Sequence, residues 1–567
     1  MMRSPSSSTW ISLAIWLGLT ACFLGLVAVI ALDDTLIYFN YAYNLVAGHG
    51  IAYDRRGIPS EGVTSLLYLL FLTPFEAMGS NLLQVAILTN LLALLGSIYF
   101  GIRMLVREGF IPPAQRLTAT ACLGLMYGAA DVHAGTLLGT GLESYVGLWA
   151  LMGFLDTAHR LLLSEEKKRL AGWLMGWAVL SYLIRPESIL ALGLVSLFVL
   201  KKSSTKISLL SWGGVGLLIL GSYHLWKSWY FGDYFPTAFY RKIQPALFPG
   251  AYYVLDALVA YFFLPLGIGL LSWKKSLWQK PFLPLLLLVC LGQGIAIVLT
   301  DPLVGLGFRY LLGPIFLGWV ALLGLVMKRS EERTFFRKKR PWLLLTTLLF
   351  SLILIPRYQQ KPWQFFPKTD QVMNTHLYIE WGKDLRKKVA EIEQVKVVFG
   401  DVGGFAYGSH AVLIDPNGLT EMRIAHLFQE ASQTKRAERM AAIILEERPD
   451  LIVLGRGSAS PYWQPGRNTH GPLNEAAQLQ YLQALQAAGY HSIGSLELYY
   501  PLQIAMHPES PHFEALWPVM KDFIREKGTP ASGPLTILPR EGMLSDTLRF
   551  PVYPYKNAPD PKGPDAR

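Results

Sequence analysis

The sequence predicts a polytopic α-helical membrane protein of about eleven spans, followed by a C-terminal extracytoplasmic α/β domain. Three observations carry that class. Hydrophobic residues make up 52% of the 567 residues and charged ones only 16%, with a mean hydropathy of +0.32, a membrane rather than a soluble composition. Apolar runs long enough to cross a bilayer recur from residue 10 to residue 356. Beyond Pro356 they stop, and Pro, Gly and charged residues return at soluble-protein frequency. The division is therefore expected at 1–356 for the membrane part and 357–567 for the outer domain.

Residues 10–32 open the chain as an apolar run of about 23 residues, which at about 1.5 Å per residue matches a hydrocarbon core of about 30 Å. Only Arg3 precedes it, and Val29-Ile30-Ala31 is a poor cleavage pattern, so an uncleaved helix with a cytoplasmic N-terminus is expected. A surface helix follows at about 35–47. The apolar stretch 63–78 decides the topology. As a span it would place Arg103, Arg107 and Arg116 outside and reverse every later loop; as a second surface helix it keeps them inside. Spans are then expected at 82–102, 117–133, 142–160, 170–184, 187–200, 207–225, 252–272, 281–299, 304–327 and 341–356. The clusters at Arg103/Arg107/Arg116, Lys167/Lys168/Arg169, Lys201/Lys202/Lys206, Lys274/Lys275/Lys280 and 328–340 now share one side, the cytoplasmic one by the positive-inside rule. An odd number of spans places the C-terminus outside. Asp33/Asp34, Glu61, Asp131/His133, Arg185/Glu187, Asp233/Arg241/Lys242 and Asp301/Arg309 share that outer face.

In the outer domain, 395–399 and 451–454 read as buried strands, and 427–447 and 474–488 as amphipathic helices, with Gly-rich turns between them. The tail from about 556 is expected to lack fixed structure. Cys22, Cys122 and Cys290 lie far apart inside apolar runs, which argues against a disulfide framework or a zinc site. The net charge of +11 sits in clusters between spans, a topology signal rather than a nucleic-acid surface. Gly400-Asp401-Val402-Gly403-Gly404 follows a strand but has neither G-x-G-x-x-G nor a P-loop lysine, so strand-end turn is the default reading.

Adjacent acids at a membrane boundary can share a proton or hold a divalent cation, and sharing raises one pKa toward the general-base range. Asp33 and Asp34 are such a pair, although Asp34 can instead cap a helix beginning at Thr35. One cap needs one acid, which leaves Asp33 as the better base. Gly48 suits a helix C-cap. Glu61, ahead of Gly62, Thr64 and Ser65, belongs either to a pocket or to a solvated loop. Glu143 starts a membrane helix, near the positive end of its dipole. Arg185-Pro186-Glu187 forms a tight hairpin whose charges can pair with each other. Arg241, Lys242 and Arg309 can bind a lipid phosphate or reach ordinary headgroups.

Together these residues resemble the integral-membrane glycosyltransferases of the GT-C type that use polyprenyl-phosphate sugars, and within them the branch of mycobacterial terminal arabinofuranosyltransferases. The likeness rests first on Asp33-Asp-Thr-Leu-Ile-Tyr-Phe-Asn-Tyr-Ala-Tyr-Asn-Leu-Val-Ala-Gly-His-Gly-Ile-Ala-Tyr53 and on 60–65. Gly141-Leu-Glu-Ser144, Arg185-Pro-Glu187, 232–242, Gly400-Asp-Val-Gly403 and 415–419 follow in the same order. The resemblance implies a GT-C-like membrane domain and inverting transfer of a sugar, with a pentofuranose such as arabinofuranose suggested, to a hydroxyl of an envelope glycan or glycolipid. It gives Asp33 the role of base with Asp34 beside it, and assigns the donor phosphate to Arg309, Arg241, Lys242 and Arg185. Glu61, Tyr38, Tyr41, Asn44, Glu143, His133, Tyr240 and Asp401 would form the sugar or acceptor pocket. It also implies a bacterial inner-membrane location; a divalent cation is compatible with the acid pair, and no other cofactor is implied. The competing classes are a secondary transporter or lipid flippase, which would hold its ionisable groups near the midplane, and a non-catalytic assembly scaffold, which would not need Asp33.

Overall fold

The computed structural model describes residues 32–133, 140–163, 167–242, 247–258, 280–299, 306–332, 370–430, 432–455, 475–497 and 501–533. The expected spans at 10–32 and 341–356 and the tail from 556 lie outside them. Two short helices come first, α1 (Asp33–Val46) and α2 (Leu66–Ala77). The Ser65 side chain accepts the Tyr68 N–H at 3.1 Å and starts α2. Its 12 residues reach about 18 Å, too little to cross a bilayer.

A helical bundle follows: α3 (Leu82–Arg107), α4 (Arg116–His133), α5 (Ser144–Leu163), α6 (Lys167–Ile184), α7 (Ile189–Lys202) and α8 (Lys206–Phe231). After the short α9 (Thr237–Lys242) come α10 (Leu247–Ala257), α11 (Phe282–Val298) and α12 (Leu312–Glu332). Among the described helices α3, α5 and α8 are long and apolar enough to span a membrane. The expected span at 187–200 is corrected: α7 has 14 residues, about 21 Å, and falls short of the hydrocarbon thickness. The bundle core is built from fully buried side chains such as Leu105, Leu123, Phe154, Phe316 and Leu323.

The C-terminal part is a mixed α/β layer structure. Its elements are α13 (Asp370–Lys388), β1 (Lys396–Val398), α14 (Val402–Ser409), β2 (Val412–Ile414), α15 (Met422–Leu427) and α16 (Gln433–Glu446). Then come β3 (Leu451–Gly455), α17 (Glu475–Ala487), β4 (His491–Glu497), β5 (Pro501–Met506), α18 (Phe513–Lys527) and β6 (Gly528–Gly533). The sheet order is β2-β1-β3-β5-β4-β6, with β2, β1 and β3 parallel and the rest antiparallel. Side chains alternate between its faces: Val397 and Leu413 join one apolar cluster, Val398 and Ile414 the other. The helix expected at 427–447 is α16, which starts only at Gln433, because the Ser432 side chain accepts the Lys435 N–H at 3.3 Å and caps it there; Leu427 instead ends α15.

One face of this sheet shares its core with the first loop. Leu36, Tyr38 and Leu69 belong to the same apolar cluster as Tyr378, Trp381, Phe405 and Leu516. Helix α1 is therefore not a surface helix: every residue from Thr35 to Ala42 is buried, covered by α2 and by the C-terminal part. Contact with α14 is close enough that a Cβ on Gly403 would overlap the Asp33 carbonyl oxygen, so only glycine fits there.

Candidate active site

Helix α1 begins at Asp33. Leu32 holds the N-cap position without a side-chain bond, so the expected capping role of Asp34 is corrected; both acids lie in the first helical turn, where the helix dipole favours negative charge. Asp33 accepts the Gly403 N–H at 3.0 Å and the Gly404 N–H at 2.7 Å. Its carboxylate thus caps α14 from outside, while Asp401, in the N-cap position of α14, makes no side-chain capping bond. Because β1 lies between β2 and β3 in the sheet, the turn after β1 is the topological switch point, where open α/β sheets offer their ligand crevice. Here that crevice receives Asp33 of the same chain. Enclosure there, together with the negative charge of Asp401, pushes the Asp33 carboxyl up to about 8 against the opposing pull of the two amides.

Asp34 turns to a cation. Its Oδ2 lies 2.9 Å from Arg309, a guanidinium only 7% exposed. Arg309 also donates to the Tyr310 hydroxyl at 3.2 Å, and its Nε is buried without a hydrogen-bond partner. Arg185 binds Glu143 at 3.1 Å, Glu187 at 3.3 Å and the Ser144 hydroxyl at 3.0 Å, and reaches the Arg309 carbonyl at 3.4 Å. Burial works against its charge, but Glu187 and Glu143 outweigh it and hold the guanidinium protonated. A cavity between α5, α6, α11 and α12 opens onto both arginines, lined also by Ser144, Ser181, Gln293 and Tyr310. Among the described residues no group of three or more His, Cys, Asp or Glu side chains is placed to hold a metal.

Glu61 lies beside this cluster in its own ion pair, 2.5 Å from Lys227 of α8, with both side chains buried. Burial raises the Glu61 carboxyl to about 7 against the opposing pull of Lys227. The Glu61 carbonyl accepts from the Thr237 amide and hydroxyl, each at 3.0 Å, and the same hydroxyl reaches the Leu419 carbonyl.

Three expected pocket residues make hydrogen bonds within the first loop. The Tyr38 hydroxyl accepts the Ser65 N–H at 3.0 Å. The Tyr41 hydroxyl meets Ser60 and the Gly62 N–H, both at 2.8 Å. Asn44 donates to the Tyr53 carbonyl at 2.6 Å. Tyr240 also serves a joint, donating to Asp233, which His426 of α15 meets at 2.7 Å. The side chains of His133, Arg241 and Lys242 lie outside the described residues, their backbones within α4 and α9.

Lys227, Gln293, Ser181 and Tyr310 join the site without having been singled out in the sequence. A signal existed for the first two: an ionisable or amide side chain inside an apolar run is costly and usually faces a functional interior.

No family model and no curated protein matches the chain. Among solved structures it is similar to ArnT from Cupriavidus metallidurans bound to undecaprenyl phosphate, with a TM-score of 0.49 and 10% identity over 88% of this chain and 98% of that one. It is also similar to the archaeal oligosaccharyltransferase AglB from Archaeoglobus fulgidus in complex with an inhibitory peptide and a dolichol-phosphate, with a TM-score of 0.40 and 12% identity over 79% and 70% of the two chains. At these scores neither likeness says which reaction the site performs.

Proposed function

We propose that this protein is an integral-membrane glycosyltransferase of the GT-C type, which moves a sugar from a polyprenyl-phosphate donor to a hydroxyl of an envelope glycan or glycolipid on the extracytoplasmic face. The reading that the first-loop resemblance favours for the sugar is a pentofuranose such as arabinofuranose. One observation supports the proposal above the others: a carboxylate raised to about 8 stands next to an acid paired with a buried arginine that flanks a cavity.

The chemistry asks little else of the protein. Asp33 takes the proton of the acceptor hydroxyl, using lone pairs left over from its two amide bonds. The acceptor oxygen attacks the anomeric carbon from the face opposite the phosphate, the bond from that carbon to the phosphate oxygen breaks, and the lipid phosphate leaves with the electron pair, inverting the centre. Arg309 and Arg185 neutralise the charge that develops on the leaving phosphate, and Asp34 orients Arg309. Glu61, Glu143 and the outer loops would meet the sugar and the acceptor.

The test is transfer by purified protein from polyprenyl-phosphate sugars, arabinofuranose included, to a glycan acceptor. Product with inverted configuration is expected, and Asp33→Asn should lower the rate by roughly 10²–10⁴ with folding kept. Undiminished transfer by the folded variant overturns the mechanism. Accumulation of one lipid-linked sugar in cells lacking the protein would identify the donor.

A further inference from the structure

Helix α14 reads Val-Gly-Gly-Phe-Ala-Tyr-Gly-Ser, and its glycines serve two faces. Gly404 and Gly408 lie against α13, where a Cβ on Gly404 would stand 2.8 Å from the Thr375 carbonyl oxygen and one on Gly408 would overlap that of Ile379. Gly403 lies against α1 and Asp33. The turn ahead of the helix is held as well: the Asn417 side chain donates to the Gly400 carbonyl at 2.9 Å, and the Tyr53 hydroxyl of the first loop donates to the Val402 carbonyl at 2.9 Å.

Two consecutive amides of this segment reach the two oxygens of one carboxylate, Gly403 to Asp33 Oδ2 and Gly404 to Oδ1. A single bond would let the carboxyl turn about it. One bond to each oxygen fixes the carboxyl plane and, with it, the direction of the remaining lone pairs. Capping alone does not call for this arrangement. Asp401 occupies the N-cap position and is the local candidate, yet the amides go to a residue 370 positions away in the chain. A second carboxylate beside Asp33 is also unfavourable for an ordinary cap, because it repels the charge that the amides attract. Both features suit a base: the amides set its direction, and the neighbouring charge raises its affinity for a proton. Asp33 is half-buried rather than sealed, as a group that must meet a second molecule requires.

We propose that Gly403 and Gly404 are positioning residues of the transfer reaction, whose paired amides aim the Asp33 carboxylate at the acceptor hydroxyl, so that the C-terminal part completes the catalytic site. The proton passes from that hydroxyl to Asp33 as the acceptor oxygen bonds to the anomeric carbon and the lipid phosphate leaves with the electron pair. The inference rests on the glycosyl-transfer reading above. The titratable groups that act on Asp33 come from three elements: Asp401 from the turn, Asp34 from α1, itself paired with Arg309, and Tyr53 from the first loop.

The experiment records kcat, the donor and acceptor KM, the pH dependence of kcat and the thermal midpoint for full-length Gly403→Ala, Gly408→Ala, Asp401→Asn and Asp33→Asn. Gly403→Ala pushes the amides off the carboxylate and should lower kcat by roughly tenfold to a hundredfold, with both KM values within a few fold. Losing two bonds to the ionised form should also move the rising limb of kcat to higher pH. Asp401→Asn removes the repelling charge, leaves the glycine contacts in place and should move the limb to lower pH. It decides the matter if Gly403→Ala fails to fold, since a limb that stays put means that the group whose ionisation turnover follows is not the one the turn holds. Gly408→Ala disturbs α14 against α13 and should lower the midpoint while kcat per folded molecule and its pH profile stay near wild type. Wild-type kcat and pH profile in Gly403→Ala, with transfer lost in Asp33→Asn, overturns the positioning role and leaves the base in place. Equal changes in Gly403→Ala and Gly408→Ala reduce α14 to a structural joint and overturn the role too. Undiminished transfer by Asp33→Asn, or no transfer by the wild type, overturns the functional reading and this inference with it.

Discussion

At the end of the bundle away from Asp33, Arg107 binds Asp156 at 2.7 Å, Arg103 stands 3.7 Å from the same carboxylate, and His159 donates to Glu108 at 2.8 Å. Glu108 also receives the Phe282 N–H at 3.1 Å, and Lys280 lies 3.8 Å from it. At the Asp33 end the pairs are as short and as buried, Asp34 with Arg309 and Glu61 with Lys227. The partners differ in origin. Those at the far end all come from α3, α5 and the start of α11, which pack on one another in any case, and basic residues outnumber acids. Those at the near end come from α1, two loop hairpins, α8 and the turn before α12, with the C-terminal part closing over them, and acids outnumber cations. Ion pairs within one packed interface tie helices together. Ion pairs that draw distant segments around a cavity prepare a place for a ligand.

Removing one arginine from each end separates the two roles most sharply. Arg309→Met should cut sugar transfer by roughly 10²–10³, the range seen when one donor to a developing oxyanion is lost. Arg107→Met leaves buried Asp156 short of its closest cation and should cost about 3–5 kcal/mol of stability, yet leave kcat per folded molecule within about twofold. Thermal denaturation in detergent and transfer assays on the same preparations read both quantities. A comparable loss of kcat in both variants would collapse the distinction between the ends.

Much of this architecture was legible in hydropathy, because bilayer-crossing helices need long apolar runs: the stretch expected at 82–102 is α3, 82–107, and the one at 207–225 is α8, 206–231. The gathering of acids and arginines at one end was legible through the placement of lysine and arginine between spans. Individual pairings were not. Asp33 meets amides of residues 403 and 404, and a Gly-rich turn gives no sign of which distant carboxylate will cap it. The resemblance puts Tyr38 and Tyr41 in the pocket, and nothing in their own stretch of sequence shows that the C-terminal part covers α1. Lys227 and Gln293 were lost in the average of their apolar surroundings, although a single polar residue there carries more information than the leucines around it.

The pair of Glu61 and Lys227 belongs by position to the near end but is closed like the far one, and its two single variants should differ. Lys227→Met leaves a carboxyl already raised to about 7, which takes up a proton at little further cost; a loss of about 1–3 kcal/mol is expected. Glu61→Gln strands a buried ammonium and should cost more, about 3–5 kcal/mol, with the double variant close to Lys227→Met. Thermal midpoints of the three measure this. An unchanged acceptor KM throughout would place the pair with the structural networks, and a raised one with the acceptor site.

The last comparison concerns pH, whose effect runs in opposite directions for stability and for turnover. Asp33 is raised to about 8 and Glu61 to about 7 by burial, so between about pH 4 and 8 the folded chain binds protons that the unfolded chain has released. Stability from these two groups is fully present below about pH 4 and is lost as pH rises through 7 and 8. Turnover needs Asp33 ionised, so kcat should climb over the same interval and level off above about pH 8. Asp33→Asn should flatten the stability slope in proportion to its share, while Arg107→Met, at the other end of the bundle, should keep both profiles. Denaturation midpoints and rates recorded from pH 4 to 9 test the pairing, and a stability curve that rises with pH in the wild type but not in Asp33→Asn would mean that Asp33 is held ionised by the α14 amides instead.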